Sequence, residues 1–253
     1  MTRRLLALLA LLALALGFAV LKAPAALLGG LLGHFSGGGL ILQQAEGSLW
    51  QGRGTLASRD AGGRSLTPWL PLAWRFDAGA LARLAIGWDF SSSGSPLAHV
   101  ELGPGGLAVS GLSLHAPAGA ALSAIPHPAA RAGWHGDLSL AAPRWQCPAD
   151  GRCSGEASLL WRGAGSALFP GRAFGDYQLQ ISAEAGSLRF TLATLAGPIM
   201  ASGQGEAPYG QPPRFDGQLS GDPELLRRLP AIAGGAAQPG NQPGHFEIHW
   251  PPR

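Results

Sequence analysis

Charge is what this chain has least of: Asp, Glu, Lys and Arg make up 13% of its 253 residues, against a usual share of about 25%. Disordered chains show few apolar residues and many charges. Here 46% of residues are hydrophobic, which excludes disorder for most of the chain. Lysine is almost missing, with Lys22 alone beside 17 arginines. The net charge of +3 is not a basic surface, because Arg3, Arg4 and Lys22 account for it and Ala23–Arg253 holds 15 arginines against 15 acidic residues. Those arginines are scattered singly apart from Arg227-Arg228. No basic stripe exists for a phosphate backbone to follow, and nucleic acid is excluded as a partner.

Long apolar runs are also few. Leu5–Leu21, 17 residues bracketed by Arg3-Arg4 and Lys22, has no second of its length. As a helix it spans about 25 Å, just under a hydrocarbon core of about 30 Å. A cleaved signal peptide and an uncleaved signal anchor compete for it. Ala23-Pro24-Ala25 offers a small-x-small cleavage site, but the run exceeds the usual length of a signal-peptide core, and the anchor is the reading preferred. Either way the two arginines hold the N-terminus in the cytoplasm and the rest crosses the membrane.

Cysteine is limited to Cys147 and Cys153, in Cys-Pro-Ala-Asp-Gly-Arg-Cys. Pro148 and Asp150-Gly151 between them are turn formers, and a disulfide closing that hairpin tip suits an oxidising compartment. A zinc site needs a further Cys or Cys/His pair and a redox motif needs closer spacing.

Catalytic signatures are missing too. No Gly-x-Ser-x-Gly elbow, His-Glu-x-x-His pair, phosphate-binding loop or helix-opening GxGxxG occurs, and neither enzyme activity nor a cofactor is expected. In His245–Trp250 the alternation puts His245, Glu247 and His249 on one strand face, the residue types of a two-His, one-carboxylate metal set. Same-face neighbours about 7 Å apart splay such ligands. The simpler reading has Phe246, Ile248 and Trp250 facing the core, with no metal expected. His34, His99, His115, His127 and His135 share no pattern. Among the tryptophans, Trp50, Trp74, Trp88, Trp134, Trp145, Trp161 and Trp250 lie in or beside strand segments and Trp69 in a Pro-flanked loop. Core packing or groove lining explains most of them, with sugar stacking the lesser alternative.

What the chain has in abundance is Gly and Pro, 39 and 21 residues, which read as turns between short strands. Segments with apolar alternation recur between them: Leu40–Ala45, Leu49–Leu56, Ile86–Phe90, Leu97–Leu102, Leu107–His115, Leu138–Ala142, Ala157–Trp161, Tyr177–Ala183, Leu188–Leu195 and Phe246–Trp250. Tyr177, Leu179 and Ile181 share one face, and with Leu188–Leu192 they make an antiparallel hairpin with one wet face. Asp77–Leu81 predicts a turn or two of helix. Asp222–Leu229 predicts a second helix, with Asp222 as N-cap, Pro223 at the first position and Pro230 as stop. Gly234–Gly244 reads as a flexible loop. Leu49-Trp50-Gln51-Gly52-Arg53-Gly54 and Leu160-Trp161-Arg162-Gly163-Ala164-Gly165 share Leu-Trp-x-Gly-x-Gly, which suggests two related halves, about 40–130 and 131–253.

The order of features matches a family. The N-terminal run leads into Ala45-Glu46-Gly47-Ser48-Leu49-Trp50-Gln51-Gly52-Arg53-Gly54, then Leu70-Pro71-Leu72-Ala73-Trp74-Arg75-Phe76 and the Leu-rich 79–84. Gly155–Trp161, Phe174-Gly175-Asp176-Tyr177-Gln178-Leu179 and Gly197-Pro198-Ile199-Met200-Ala201-Ser202-Gly203 follow. This resembles type II secretion system protein N from about residue 40 to 250, with Gly47, Leu49, Trp50, Gly52, Trp74, Trp161, Gly175 and Tyr177 as its motif residues. The resemblance implies a single-pass bacterial inner-membrane protein: residues 1–22 as cytoplasmic tip and anchor, 23–39 as connector, 40–253 as periplasmic β-domain. It implies a non-enzymatic assembly subunit that meets other secretion proteins of the inner membrane and periplasm and supports export of folded proteins across the outer membrane. The family is similar to the AsmA-like group, so the implied fold is all-β: a curved, mostly antiparallel sheet forming a groove or open barrel, with one or two short helices. That likeness leaves a lipid-handling groove as the alternative, and a glycan-binding module as a weaker one.

Overall fold

Fourteen strands form among the described residues, most of them over the short alternating segments. They are β1 (Leu40–Gly47), β2 (Gln51–Arg59), β3 (Leu66–Asp77), β4 (Ile86–Ser92), β5 (Ser95–Gly103), β6 (Gly106–Pro117), β7 (Trp134–Cys147), β8 (Ser154–Ser166), β9 (Ala173–Glu184), β10 (Ser187–Ala196), β11 (Ile199–Pro208), β12 (Arg214–Gly221), β13 (Ala237–Pro239) and β14 (His245–Trp250). Helices are α1 (Thr2–Leu21), α2 (Ala26–Phe35), α3 (Ala118–Ser123) and α4 (Pro223–Leu226), with a 3-10 turn over Ala78–Arg83. The structure is a computed structural model. It describes residues 2–59, 65–123, 125, 132–184, 186–226, 237–242 and 244–251, less the side chains of 2–4, 6–10, 13, 16 and 225.

All fourteen strands belong to one sheet, in chain order except that β14 lies between β12 and β13. Every pairing is antiparallel, and β1 and β13 are its two outer strands. The sheet is open, with no pairing between its two outer strands among the described residues. The expected hairpin is β9–β10, with Leu179 opposite Leu192 and Ile181 opposite Phe190.

Because side chains alternate across a strand, the register sorts the residues into rows. Leu114, Leu140, Leu159, Leu179 and Leu192 stand side by side from β6 to β10. On the opposite face Arg144, Glu156, Ser182, Arg189, Glu206 and Arg214 run from β7 to β12. The apolar face is closed at two places. One cluster buries Ala25, Leu42, Leu56, Leu70, Leu72 and Trp74, with Leu28 and Leu32 of α2 and Leu114 of β6 packed on it. The other buries Phe169, Phe174, Ile199 and Leu226. The leucine row between them is only half-buried.

The structure adds detail to some expectations and corrects others. Residues 23–39 hold helix α2, because Leu28 and Leu32 find an apolar floor on β1. Trp69 lies inside β3 and not in a loop. Pro68 and Pro71 are tolerated there because β4 pairs only with Ala73–Asp77, so that stretch needs N–H groups on one side alone. Strands β11 and β12 had no apolar alternation to announce them. Within Gly234–Gly244, Ala237–Pro239 pairs with β14. The Asp222 cap forms, its carboxylate accepting from the Glu224 N–H at 2.9 Å; residues 227–230 of that expected helix lie outside the described residues. Helix α1 is 20 residues of helical backbone. Among the described residues no helix is long and apolar enough to cross a membrane, so the anchor rests on the Leu5–Leu21 run.

Candidate functional site

The motif residues gather into two aromatic clusters. The first is built on the turn between β1 and β2. Gly47 has φ 93°, a conformation that favours glycine. At Gly52 a Cβ would lie 2.5 Å from both the Glu46 carbonyl and the Trp74 ring, so glycine is what lets the Trp74 indole lie across β2. Three indole N–H groups then fasten the turn: Trp74 donates to the Ser48 carbonyl (3.0 Å), Trp88 to Leu49 (3.1 Å) and Trp50 to Val20 at the end of α1 (2.8 Å). Trp50 also stacks on Trp88, with ring centres 6.1 Å apart, and meets Phe76 edge-on at 5.2 Å. The motif thus brings Gly47, Leu49, Trp50, Gly52 and Trp74 together.

Trp161, Gly175 and Tyr177 form the second cluster. Trp161 meets Trp134 at 5.4 Å and Tyr177 at 6.4 Å, and its indole N–H donates to the His135 carbonyl. Gly175 has φ 147°, and a Cβ there would strike the Ala196 carbonyl. Burial, aided by Asp176, pushes the Tyr177 phenol up to about 12, and it donates to the Ile199 carbonyl at 3.0 Å. Phe174, from the same motif segment, and Trp134, one of the tryptophans read as core or groove lining, also belong to this cluster. The shared Leu-Trp motif has different surroundings in the two places: Leu49-Trp50 lies in a turn, Leu160-Trp161 within β8. Cys147 and Cys153 form the expected disulfide. Trp250, expected in the core, shares the apolar face with Phe215 yet stays 44% exposed because its strand lies next to the sheet's edge.

The polar face carries two histidine clamps. His99 Nδ1 lies 2.7 Å from Asp89 across the ladder and Nε2 2.9 Å from Glu101 two residues along. His249 repeats the arrangement, with Nδ1 2.6 Å from Asp216 and Nε2 3.4 Å from Glu247. His245 is exposed and takes no part in that contact. At the first clamp Arg83 bonds both Glu101 and Asp77. The hydrogen bond that His99 donates to the Glu101 carboxylate raises the His99 pKa, with burial opposing and Asp89 adding; His99 and then Arg83 lower that of Glu101. Asp77, His99 and Glu101 have ligand atoms within 4.8 Å of one another, spacing that suits a metal ion, but the guanidinium already bridges the two carboxylates. Asp89 pairs with His99 from ten positions away, which only the register reveals.

A family model for type II secretion system (T2SS), protein N, matches residues 38–243. The chain belongs to the type II secretion system protein N family. Comparison with curated proteins and with solved structures yields no match. The protein N match takes in both aromatic clusters and the first clamp, whereas α1, α2 and β14 lie outside it. In this protein N member the indole N–H groups of Trp50, Trp74, Trp88 and Trp161 and the Tyr177 hydroxyl are spent on backbone carbonyls, so these rings act as fastenings.

Proposed function

We propose that this protein N family member is an inner-membrane-anchored subunit whose periplasmic sheet works by contact, not catalysis, in the type II secretion machine. The observation that carries this reading is the single open sheet with one half-buried apolar face and two outer strands. Unpaired strand edges and exposed apolar patches are surfaces that proteins use to bind one another. The Leu5–Leu21 run supplies the anchor, and residues 40–253 the domain that other inner-membrane and periplasmic secretion proteins meet. Deleting the protein tests this: export of folded proteins to the medium falls, and unchanged export refutes it. N-terminal sequencing tests the anchor separately, since a mature chain starting at Ala26 would mean cleavage.

One observation favours a second reading. The row Leu114–Leu140–Leu159–Leu179–Leu192 is half-buried between the two closed clusters. Leu114 on β6 packs against the cluster of β1–β3, a reach that requires the sheet to curl toward its apolar face. Such a curl makes a trough of the kind that shields acyl chains. Deletion that leaves export intact but alters outer-membrane permeability favours this lipid-handling role. A glycan platform has less support, because the seven tryptophans other than Trp250 are buried or half-buried.

A further inference from the structure

One end of the sheet is apolar where no internal packing accounts for it. Ile86, Leu102 and Leu107 are cross-strand neighbours at the termini of β4, β5 and β6, and all three are exposed. Leu81 and Leu84, in the connection from β3 to β4, are 56% and 80% exposed. Leu84 ends its 3-10 turn at φ 57°, in the left-handed region. Glycine or asparagine adopts that position at least cost; a leucine held there with its side chain 80% exposed gains little packing to offset the strain.

The same end is where α1 joins. Val20 accepts from the Trp50 indole, the Leu49 N–H donates to Ala23, and the Ala25 N–H donates to Gly47. Trp50 in turn stacks on Trp88, two residues along β4 from Ile86. Helix α1 stands off the sheet, with Leu11, Leu12, Leu14, Phe18 and Leu21 all exposed. The acidic groups nearest the patch are matched, Arg83 bonding Asp77 and Glu101.

We propose that this end of the sheet lies on the lipid bilayer, with Leu81, Leu84, Ile86, Leu102 and Leu107 dipping into it beside the anchor. The inference rests on the anchor reading above. Continuity with the end of α1 selects a membrane over a protein partner. Trp50 and Trp88 fall at the depth where indoles collect, between the apolar patch and the wet body of the sheet. Lys22, directly after the apolar run, meets the headgroups. The sheet then stands with its strands rising from the membrane, and the opposite ends of β2 and β3 point into the periplasm.

The test reconstitutes the full chain into phosphatidylethanolamine–phosphatidylglycerol vesicles. An environment-sensitive fluorophore is placed on a cysteine introduced singly by Leu84→Cys, Leu81→Cys, Leu31→Cys or Thr67→Cys, and each variant's sheet content is checked by circular dichroism. Probes at positions 84 and 81 brighten severalfold and are quenched by nitroxides on the acyl chains, while the probe at Thr67, at the far end of β3, stays wet. The proposal falls if the probes at 84 and 81 match the one at 67. It also falls if position 31 alone is quenched, which would lay α2 on the bilayer instead. Vesicle flotation separates the two readings: a chain that fails to float removes the anchor and this inference together, and one that floats with dry-side probes still wet removes only this inference.

Discussion

The two aromatic clusters solve related problems with opposite emphasis. In the first, Trp74 is 2% exposed and its N–H reaches the turn that receives the end of α1. In the second, Trp161 and Tyr177 are half-buried and fasten one part of the sheet to another, through the carbonyls of His135 and Ile199. The first cluster thus ties the sheet to what precedes it in the chain, and the second closes a corner inside the sheet. A one-layer fold has no opposing sheet to bury its apolar face, so closure is local and comes from large rings with a hydrogen bond at their tip.

Removing one ring from each cluster tests that difference most severely. Trp74→Ala should cost about 3–5 kcal/mol, the usual loss for a buried aromatic, and it frees the Ser48 carbonyl. Trp161→Ala should cost closer to about 2 kcal/mol, because less apolar area leaves water in that cluster. Urea unfolding followed by circular dichroism measures both. Equal losses would show that the two clusters carry the fold alike.

A smaller effect should be shared by both halves of the sheet. Gly52 lies under the Trp74 ring, and Gly205 under the Phe190 ring. Gly52→Ala and Gly205→Ala should each destabilise by about 1–3 kcal/mol, as overpacking does. Gly105, whose Cβ would meet nothing within 4 Å, is the control and should stay within about 0.5 kcal/mol. Unfolding midpoints decide it, and a neutral Gly205→Ala would mean that the Phe190 ring can move aside.

The glycines also explain which parts of the fold were legible from the residues. The hairpin β9–β10 was readable because Tyr177, Leu179 and Ile181 alternate with polar residues. In β11 and β12, Gly203, Gly205 and Gly217 occupy inward positions, and the rings of Phe190 and Phe215, stacked 6.1 Å apart, fill the space above them. The apolar matter of those strands is thus lent by their neighbours, and no alternation is left to see. Helix α2 was hidden for a related reason: Ala26–Phe35 is apolar all round except for His34 near its end, so it gives no one-sided stripe. The motif glycines and tryptophans could be picked out, whereas their hydrogen-bond partners could not. Ser48, Val20 and His135 serve through backbone carbonyls, and a carbonyl has no residue type.

The histidine clamps give the finest comparison and the smallest expected effect. Each holds an imidazole between a carboxylate across the ladder and one on its own strand, but the Nε2 contact is 2.9 Å at His99 and 3.4 Å at His249. With carboxylates at both nitrogens, His99 satisfies both only as an imidazolium, and its pKa is raised in the folded state, first by Glu101. Its contribution to stability is therefore complete below the ordinary value of 6.5 and fades as pH rises through the raised one. The urea midpoint should fall modestly as pH rises above the ordinary value of 6.5, and His99→Gln should remove that part of the fall. Glu101→Gln should narrow it and shift its centre toward lower pH, because the largest raising contact is gone. An unchanged profile in both variants would mean that the first clamp is held by Arg83 alone.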